Sequence, residues 1–489
     1  MKRRIVVLGM VIAMLMAVTA VFAQTYPDAG TAVTNVIVQN KSTSEVAEVS
    51  ITYFNPNGTE AYTNSGNMID PRAVIELKTE DEPLSAGFRG AAVLSSDQPI
   101  AAVVSTQNRN VAASAGQRTQ SAYNGSAAGS DTLYFPSLFR FEFIVSSFTI
   151  QNTSDVAANI SMQFFDRDGN DKGSDTATIP AHGSTTFDLR SYSPGAAFDD
   201  FVDGSVVVTA SSGAITGAAV TTYGNRSAAY QSLTNNNRGD VLYAPSLFRF
   251  KVNPSDAQYT LFSALNLQNT TEDVANVTVE FYSRADGSLT LEYDLVIQPL
   301  SAAGINLNNG GDFPIGDFDD IPQNWDGSAI VTSDQPLVGI GITNWQASGY
   351  AGNYAMVTPN DGADTLFVPA QYRLDFGTGQ FQQWSAINLQ NVGNTTIDRA
   401  DLVIQYIDNN GNTVATFTGN DLPFDLGPGA AMGLNTRNGG DLDAAQFTAF
   451  GMNFIGGIYI TAPDGSDLVG VANIIYANRA SVYNADPGQ

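Results

Sequence analysis

The chain holds a single histidine, His182, and no cysteine. Thiolate, iron–sulfur and cysteine-ligated zinc chemistry therefore have no ligands, and a Ser–His–Asp triad or a histidine zinc site would have to be built on one imidazole. His182 lies in Pro-Ala-His-Gly-Ser, and the matching turns elsewhere carry Pro71-Arg72-Ala73, Pro299-Leu300-Ser301 and Pro428-Gly429-Ala430, so it reads as an exposed turn residue. No Gly-x-Ser-x-Gly, phosphate-loop or dinucleotide fingerprint stands in the chain. What remains is carboxylates, gathered in acidic, glycine-rich loops: Asp199, Asp200 and Asp203, then Asp312, Asp317, Asp319 and Asp320, with Asp441 and Asp443 and the run Glu80-Asp81-Glu82 in related places. Two carboxylates are enough for glycoside hydrolysis, but a general acid needs a cleft that raises its pKa, and short loops do not build one. Several carboxylate and carbonyl oxygens on a flexible loop suit calcium better, which makes the seven residues from Asp199 to Asp320 candidate calcium ligands. The turn Asp166-Arg167-Asp168-Gly169-Asn170-Asp171 opens like a calcium loop yet lacks the distal bidentate Glu, and reads as a hairpin turn. Among the aromatics, Trp345 closes one apolar run and Trp384 opens another, and both are candidate platforms for stacking a sugar.

The elements that would position these residues recur. An apolar run ending in Gln-Asn appears four times, at Asn40, Asn152, Asn269 and Asn391, at intervals of 112, 117 and 122 residues. After each comes a strict alternation, such as Ile160, Met162 and Phe164 with Ser161 and Gln163 between them, which is the period of a half-buried antiparallel strand. Each alternation runs into an Asn-Gly or Asp-Gly turn at Gly58, Gly169, Gly287 or Gly411, residues that tolerate the positive φ of a hairpin. Two closing apolar runs flank Ser-Asp-Gln-Pro or Pro-Asp-Gly and read as a final hairpin. A second motif, L-aromatic-x-P-small-x-aromatic-R, occurs at 133–140, 242–249 and 366–373, after Gly/Asn/Ser-rich connectors. Its proline suits an edge strand or kink, its apolar residues are expected to pack on a neighbouring unit, and its arginine to pair with a carboxylate. About seven short strands per unit without helical periodicity predict an all-β chain of four tandem immunoglobulin-like antiparallel β-sandwich domains. The expected boundaries are 24–131, 132–240, 241–363 and 364–489.

Residues 1–23 form a basic then apolar leader ending in Val21-Phe22-Ala23, the pattern of a signal peptide cut before Gln24. Removing Lys2, Arg3 and Arg4 takes the formal charge from −26 to −29. Such a surface repels nucleic acid and anionic lipid and suits a solvated exported protein. No second apolar run is long enough to span a bilayer.

The I-Q-N strand, the Y/F-x-D-x-D-G turn and the G-S-A-V-V-x-S-D-Q-P segment together resemble the tandem immunoglobulin-like repeats of bacterial secreted and cell-surface proteins. The resemblance covers residues 36–483 and implies an extracellular location without transferring any functional residue. The expectation is a non-enzymatic structural or adhesive rod without an obligate cofactor, calcium being the one ion its loops suit. Its partners would be further copies of itself, other surface or matrix proteins, or glycans; an array of carbohydrate-binding modules is the alternative. Residues 24–30, an abbreviated motif, are expected to add as a strand to the free end of another chain's fourth unit.

Overall fold

The computed structural model describes residues 32–108, 119–223, 226–251, 259–284, 287–345, 350–375, 382–476 and 479–488; the leader expected at 1–23 and the segment 24–30 lie outside the described residues. The chain is all-β, and its sheets are antiparallel. The second repeat shows the plan. One sheet runs in the order Asp171–Ile179, Ala158–Asp166, Asp203–Ser212, Thr132–Phe139, and the other in the order Ser184–Asp188, Ile144–Asn152, Ile215–Tyr223, Arg226–Gln231. Phe135, Phe148, Phe164, Phe198 and Val206 fill the space between them. The alternation read from sequence sets the faces: Ile160, Met162 and Phe164 are buried while Asn159 and Ser161 are exposed. The Asn-Gly and Asp-Gly turns join true hairpins, with Gly58, Gly169, Gly287 and Gly411 all at φ between 68° and 83°.

The closing apolar pair is not a hairpin. In the first repeat Ala91–Ser96 pairs with Ala47–Phe54 while Ile100–Asn108 pairs with Ala32–Asn40 in the other sheet, so the Ser-Asp-Gln-Pro turn carries the chain between sheets. In the third repeat both runs merge into one strand, Trp325–Trp345, which serves both sheets in turn. Turn chemistry fixes that the chain bends but not which partner each strand takes, and here the partners lie outside the hairpin.

Each repeat ends in one more strand: Gln120–Asn124, Arg226–Gln231, Tyr350–Ala355 and Arg479–Asn484. These four pack on one another in a cycle, the first against the second and the fourth, the third against the second and the fourth. The expected rod is therefore replaced by a ring. Polar contacts link the fourth repeat to its neighbours at this centre: Asn484 exchanges hydrogen bonds of 2.8 and 2.9 Å with Asn124 and of 3.0 and 2.8 Å with Ala355, and Gln120 donates to Ser481 at 3.1 Å.

The recurring proline motif forms the seams of this ring. Its strand Thr132–Phe139 is a sheet edge, whereas Gly239–Phe250 and Thr365–Leu374 border the closing run and pair by their last two residues with the first strand of their own repeat; in all three the register slips close to Pro136, Pro245 or Pro369, so the missing N–H falls at a bulge. Across the seam each strand meets the outer face of the next repeat. Ala264, Val338, Ile340 and Ile342 of the third repeat join the core of the second, Val471 and Val482 of the fourth join that of the third, and Ile37, Val103 and Ala122 of the first join that of the fourth. The far edge of the last motif strand is covered by Asp486–Pro487, as Leu233 and Val357 cover the other two. The fourth repeat thus has no free end of the kind expected to receive residues 24–30.

Candidate functional site

The most repeated polar residues hold the fold. Asn152 is fully buried, its Nδ2 donating to the carbonyls of Val156, Ile179 and Pro180 at 2.7 to 3.1 Å and its Oδ1 accepting from the Ser154 amide at 2.9 Å. Asn40, Asn269 and Asn391 make the same clamp. The preceding glutamine reaches the turn after the second hairpin strand: Gln39, Gln268 and Gln390 donate to the carbonyls of Arg72, Leu300 and Gly429, three residues held at positive φ. The motif arginine donates to backbone carbonyls, and at Arg249 it also meets the expected carboxylate, that of Asp319, at 4.0 Å. Arg140 donates to Phe198 O at 2.7 Å, Arg249 to the carbonyls of Phe318 and Ile321, and Arg373 to those of Thr436 and Gly451. These acceptors belong to the acidic loops, whose short 3-10 turns Ala196–Phe198, Ile315–Phe318 and Ala444–Phe450 bury Phe198, Phe318, and Phe447 with Phe450 under the sandwich.

The acidic side chains of those loops disperse. Asp203 lies 3.5 Å from Arg167, whose guanidinium also meets Asp312 at 3.7 Å and Asn266 at 3.2 Å across the seam between the second and third repeats. Burial is the main influence on Asp203 and raises its pKa, with Arg167 working against the rise. Arg284 repeats the arrangement at the next seam with Asp326, Asp441 and Asn388. Asp312 Oδ2 also accepts the Gly304 amide at 2.6 Å. Asp200 meets Lys172 at 3.0 Å, and Asp317 accepts the Tyr293 hydroxyl at 2.9 Å, a phenol pushed up to about 12 by burial first and then by that carboxylate. Asp319 approaches Arg249 only at 4.0 Å, and Asp199 and Asp320 face solvent. Among the described residues no three acidic or histidine side chains converge as a metal site requires. His182 stacks on Phe54 of the first repeat at 5.0 Å and meets Asp155 at 3.0 Å, so it is a seam residue.

Aromatics gather where the central strands begin. Register pairs Tyr223 with Arg226, Trp345 with Tyr350 and Tyr476 with Arg479, all at the same place in their repeats. The guanidinium of Arg479 lies 4.6 Å from the Tyr476 ring centroid, that of Arg226 lies 6.0 Å from Tyr223, and the Trp345 and Tyr350 centroids are 5.1 Å apart. Trp384 pairs with Ile475 in register, beside Tyr476, and carries the Arg437 guanidinium 4.4 Å from its centroid. The aromatic rings and Arg226 are partly exposed, Arg437 is exposed and Arg479 is buried. Sequence reading found the two tryptophans but missed the tyrosines and arginines. Their signal was the R/Y-S/A-x-x-Y run that recurs at 226–230, 350–354 and 479–483, near the end of the second, third and fourth repeats. Two shallow open depressions, one around Lys41, Phe367 and Tyr459 and one around Arg238 and Pro359, lie elsewhere and contain none of the candidate residues.

No family model matches the chain, and no curated protein does. Among solved structures, the Anabaena sensory rhodopsin transducer is similar at 16% identity over 21% of this chain and 84% of its own, with a TM-score of 0.17. A Thermotoga maritima protein, 1070, is similar at 17% identity over 22% of this chain and 82% of its own, again with a TM-score of 0.17. Likeness at this level carries no functional argument. No helix among the described residues is long and apolar enough to cross a membrane.

Proposed function

We propose that the protein is a non-enzymatic extracellular structural or adhesive protein of the bacterial surface or matrix, exported by a leader at 1–23 and folded as four immunoglobulin-like sandwiches closed into a ring. The observation that carries this reading is the employment of its chemistry. Among the described residues, the carboxylates that could have served acid–base or metal work spread among seam arginines, backbone amides and solvent, and where two come together, as Asp203 and Asp312 do, both meet the same guanidinium, that of Arg167. Purified mature protein is expected to self-assemble or to bind cells or their matrix, in calcium and in chelator alike. A strictly monomeric protein that binds neither cells nor matrix in both conditions refutes the proposal.

A carbohydrate-binding role is favoured by one observation, the partly exposed aromatic and arginine pairs at one end of the ring. Stacking of a sugar on an indole would use that end. Specific glycan-array binding abolished by Trp345→Ala or Trp384→Ala decides for it.

A further inference from the structure

The seams between the second and third repeats and between the third and fourth carry the same polar lock. In each, an arginine from one repeat's hairpin turn, Arg167 or Arg284, meets an aspartate of its own repeat and another of the next. An asparagine of the next repeat, Asn266 or Asn388, then donates to the motif serine, Ser137 or Ser246, at 2.9 or 2.7 Å. At the seam between the fourth and first repeats the corresponding residues, found after Asp408, three before Asn40 and after Pro369, are Asn409, Ile37 and Ala370. They cannot build the lock. This closing seam has its own contacts instead: Ile37, Val103 and Ala122 enter the fourth repeat's core, Gln39 donates to Ile458 O at 3.4 Å and Gln120 to Ser481 at 3.1 Å. Its apolar part is the smaller one, since Ala101 and Val103 stand where the third repeat has Val338 and Ile340 and the fourth Val469 and Val471.

The connector that follows the first repeat differs from the other two in the same sense. It runs 10 residues from Tyr123 to Leu133, against 12 from Tyr230 to Leu242 and from Tyr354 to Leu366. The longer two fold into 3-10 turns, Asn235–Asn237 and Pro359–Asp361, in which the Asn237 and Asp361 side chains accept the amides of Thr234 and Thr358 at 3.0 and 2.7 Å. The shorter one has no such turn, and its Gly125, Ser126, Ala127 and Ala128 are all exposed. Small residues around a glycine keep many backbone conformations open, and a short connector of this kind favours exchange of the unit it carries.

We propose that the partner of this protein is a second copy of the same chain, with which it exchanges its first repeat. The first repeat of each copy swings out on the hinge 125–128 and takes the corresponding place in the other ring, giving a closed, reciprocal dimer. The contacts of the first repeat re-form between chains, so ring and dimer differ only at the hinge. Repeats two to four, locked by Arg167 and Arg284, form the rigid receptor. Within one chain the first repeat is held beside the fourth at an effective concentration on the order of millimolar, which keeps the dilute protein a ring and places exchange under the control of its own concentration. The inference deepens the assembling part of the proposed function and rests on that reading for its use, though not for its test.

The test uses two full-length variants. Val103→Asp spoils the first repeat's face, and Gly457→Gln spoils the fourth's, since a Cβ on Gly457 already lies 2.7 Å from Gln39 Nε2 and 2.9 Å from Val74 Cγ2. Neither closes its own ring, and each alone should stay monomeric. Mixed in equal amounts they hold one good face of each kind on different chains, so a mixed dimer of twice the monomer mass is expected by light scattering. Lys41→Glu with Arg72→Glu replaces Val103→Asp if circular dichroism finds that chain unfolded. Deleting Ala127 and Ala128 leaves both faces untouched but denies the first repeat its own ring, so this chain should dimerise by itself. Two folded variants that stay monomeric when mixed, either variant associating with itself, or a deletion chain that remains a monomer with the parent's radius each overturns the proposal. A protein that binds cells yet never exchanges its first repeat keeps the adhesive role and loses this one.

Discussion

At the scale of single residues, most of what looked available for chemistry is engaged in holding loops and seams together. The buried asparagines make this quantitative. Removing the Asn152 amide leaves three carbonyls and the Ser154 amide without their partner, and an unsatisfied buried group costs roughly 1–3 kcal/mol, so Asn152→Ala should lower stability by about 3 kcal/mol in urea unfolding. Asn159→Ala, on the exposed face of the next strand, should change it by less than about 0.5 kcal/mol. The acidic turn behaves similarly. Burial works to raise the Asp166 pKa, but the hydrogen bonds from Asn170 and from Lys172 outweigh it and hold the carboxyl below its ordinary 3.8. A depressed folded pKa contributes stability above the unfolded value, and this is lost as pH falls through the folded one. Asp166→Asn should therefore melt below the parent at pH 7, with the gap in melting temperature closing as the pH is taken below 3.8. Asp203 runs the other way: its raised pKa makes the charged form the costlier one in the folded state, so its contribution falls as pH rises above its ordinary value.

At the scale of elements, strand identity was legible because period two and Asn-Gly or Asp-Gly turns are local properties, and the four hairpins they announced are present. Partner choice was not local. The turn between the closing runs reads locally as a hairpin, yet each run pairs with a strand some forty to ninety residues earlier, such as Ile100 with Asn40 and Tyr476 with Gln383. A glycine opens each of these runs for a packing reason. A Cβ on Gly327 would fall within the contact radius of Tyr282 O and crowd the Trp325 ring, and Gly90, Gly204 and Gly456 meet the carbonyls of Phe54, Phe165 and Ile407 in the same way. Gly327→Ala should therefore break the pairing of Ala275–Ser283 with Trp325–Trp345 and yield insoluble or grossly destabilised protein. Gly316→Ala, where nothing lies within 4 Å of the added carbon, should be neutral or stabilising by up to about 1 kcal/mol in the same thermal melt.

At the scale of the whole molecule, the ring was foreshadowed by a signal that alternation alone does not deliver. Strands such as Leu468–Tyr476 are apolar at nearly every position and buried on both faces, the mark of a strand covered on both sides. The run Ile215–Tyr223, interrupted by Thr216, Thr221 and Thr222, is weaker, and its Thr216, Ala218 and Val220 are only partly buried. The candidate metal and sugar residues were legible as types, but their surroundings come from non-local contacts: Arg167 meets Asp203 of its own repeat and Asp312 of the next only because the seam brings them together. Closure itself is testable. A compact 466-residue particle, residues 24–489, should give a radius of gyration near ~23 Å by small-angle X-ray scattering, and an end-to-end rod of the same units a clearly larger one. The seam that shuts the ring is stitched by Lys41 to Asp486 at 2.6 Å and by Arg72, which donates to Gln405 at 3.0 Å and lies 5.6 Å from the Tyr459 ring centroid. Because Ile37, Val103 and Ala122 also share the fourth repeat's core, charge reversal at Lys41 alone should leave the radius unchanged. Val103→Asp buries an unpaired carboxylate between the two repeats, so it should open the ring and increase the radius. A radius unaffected by Val103→Asp in a folded protein would mean that the cycle of central strands, rather than the apolar seam, holds the first repeat to the fourth.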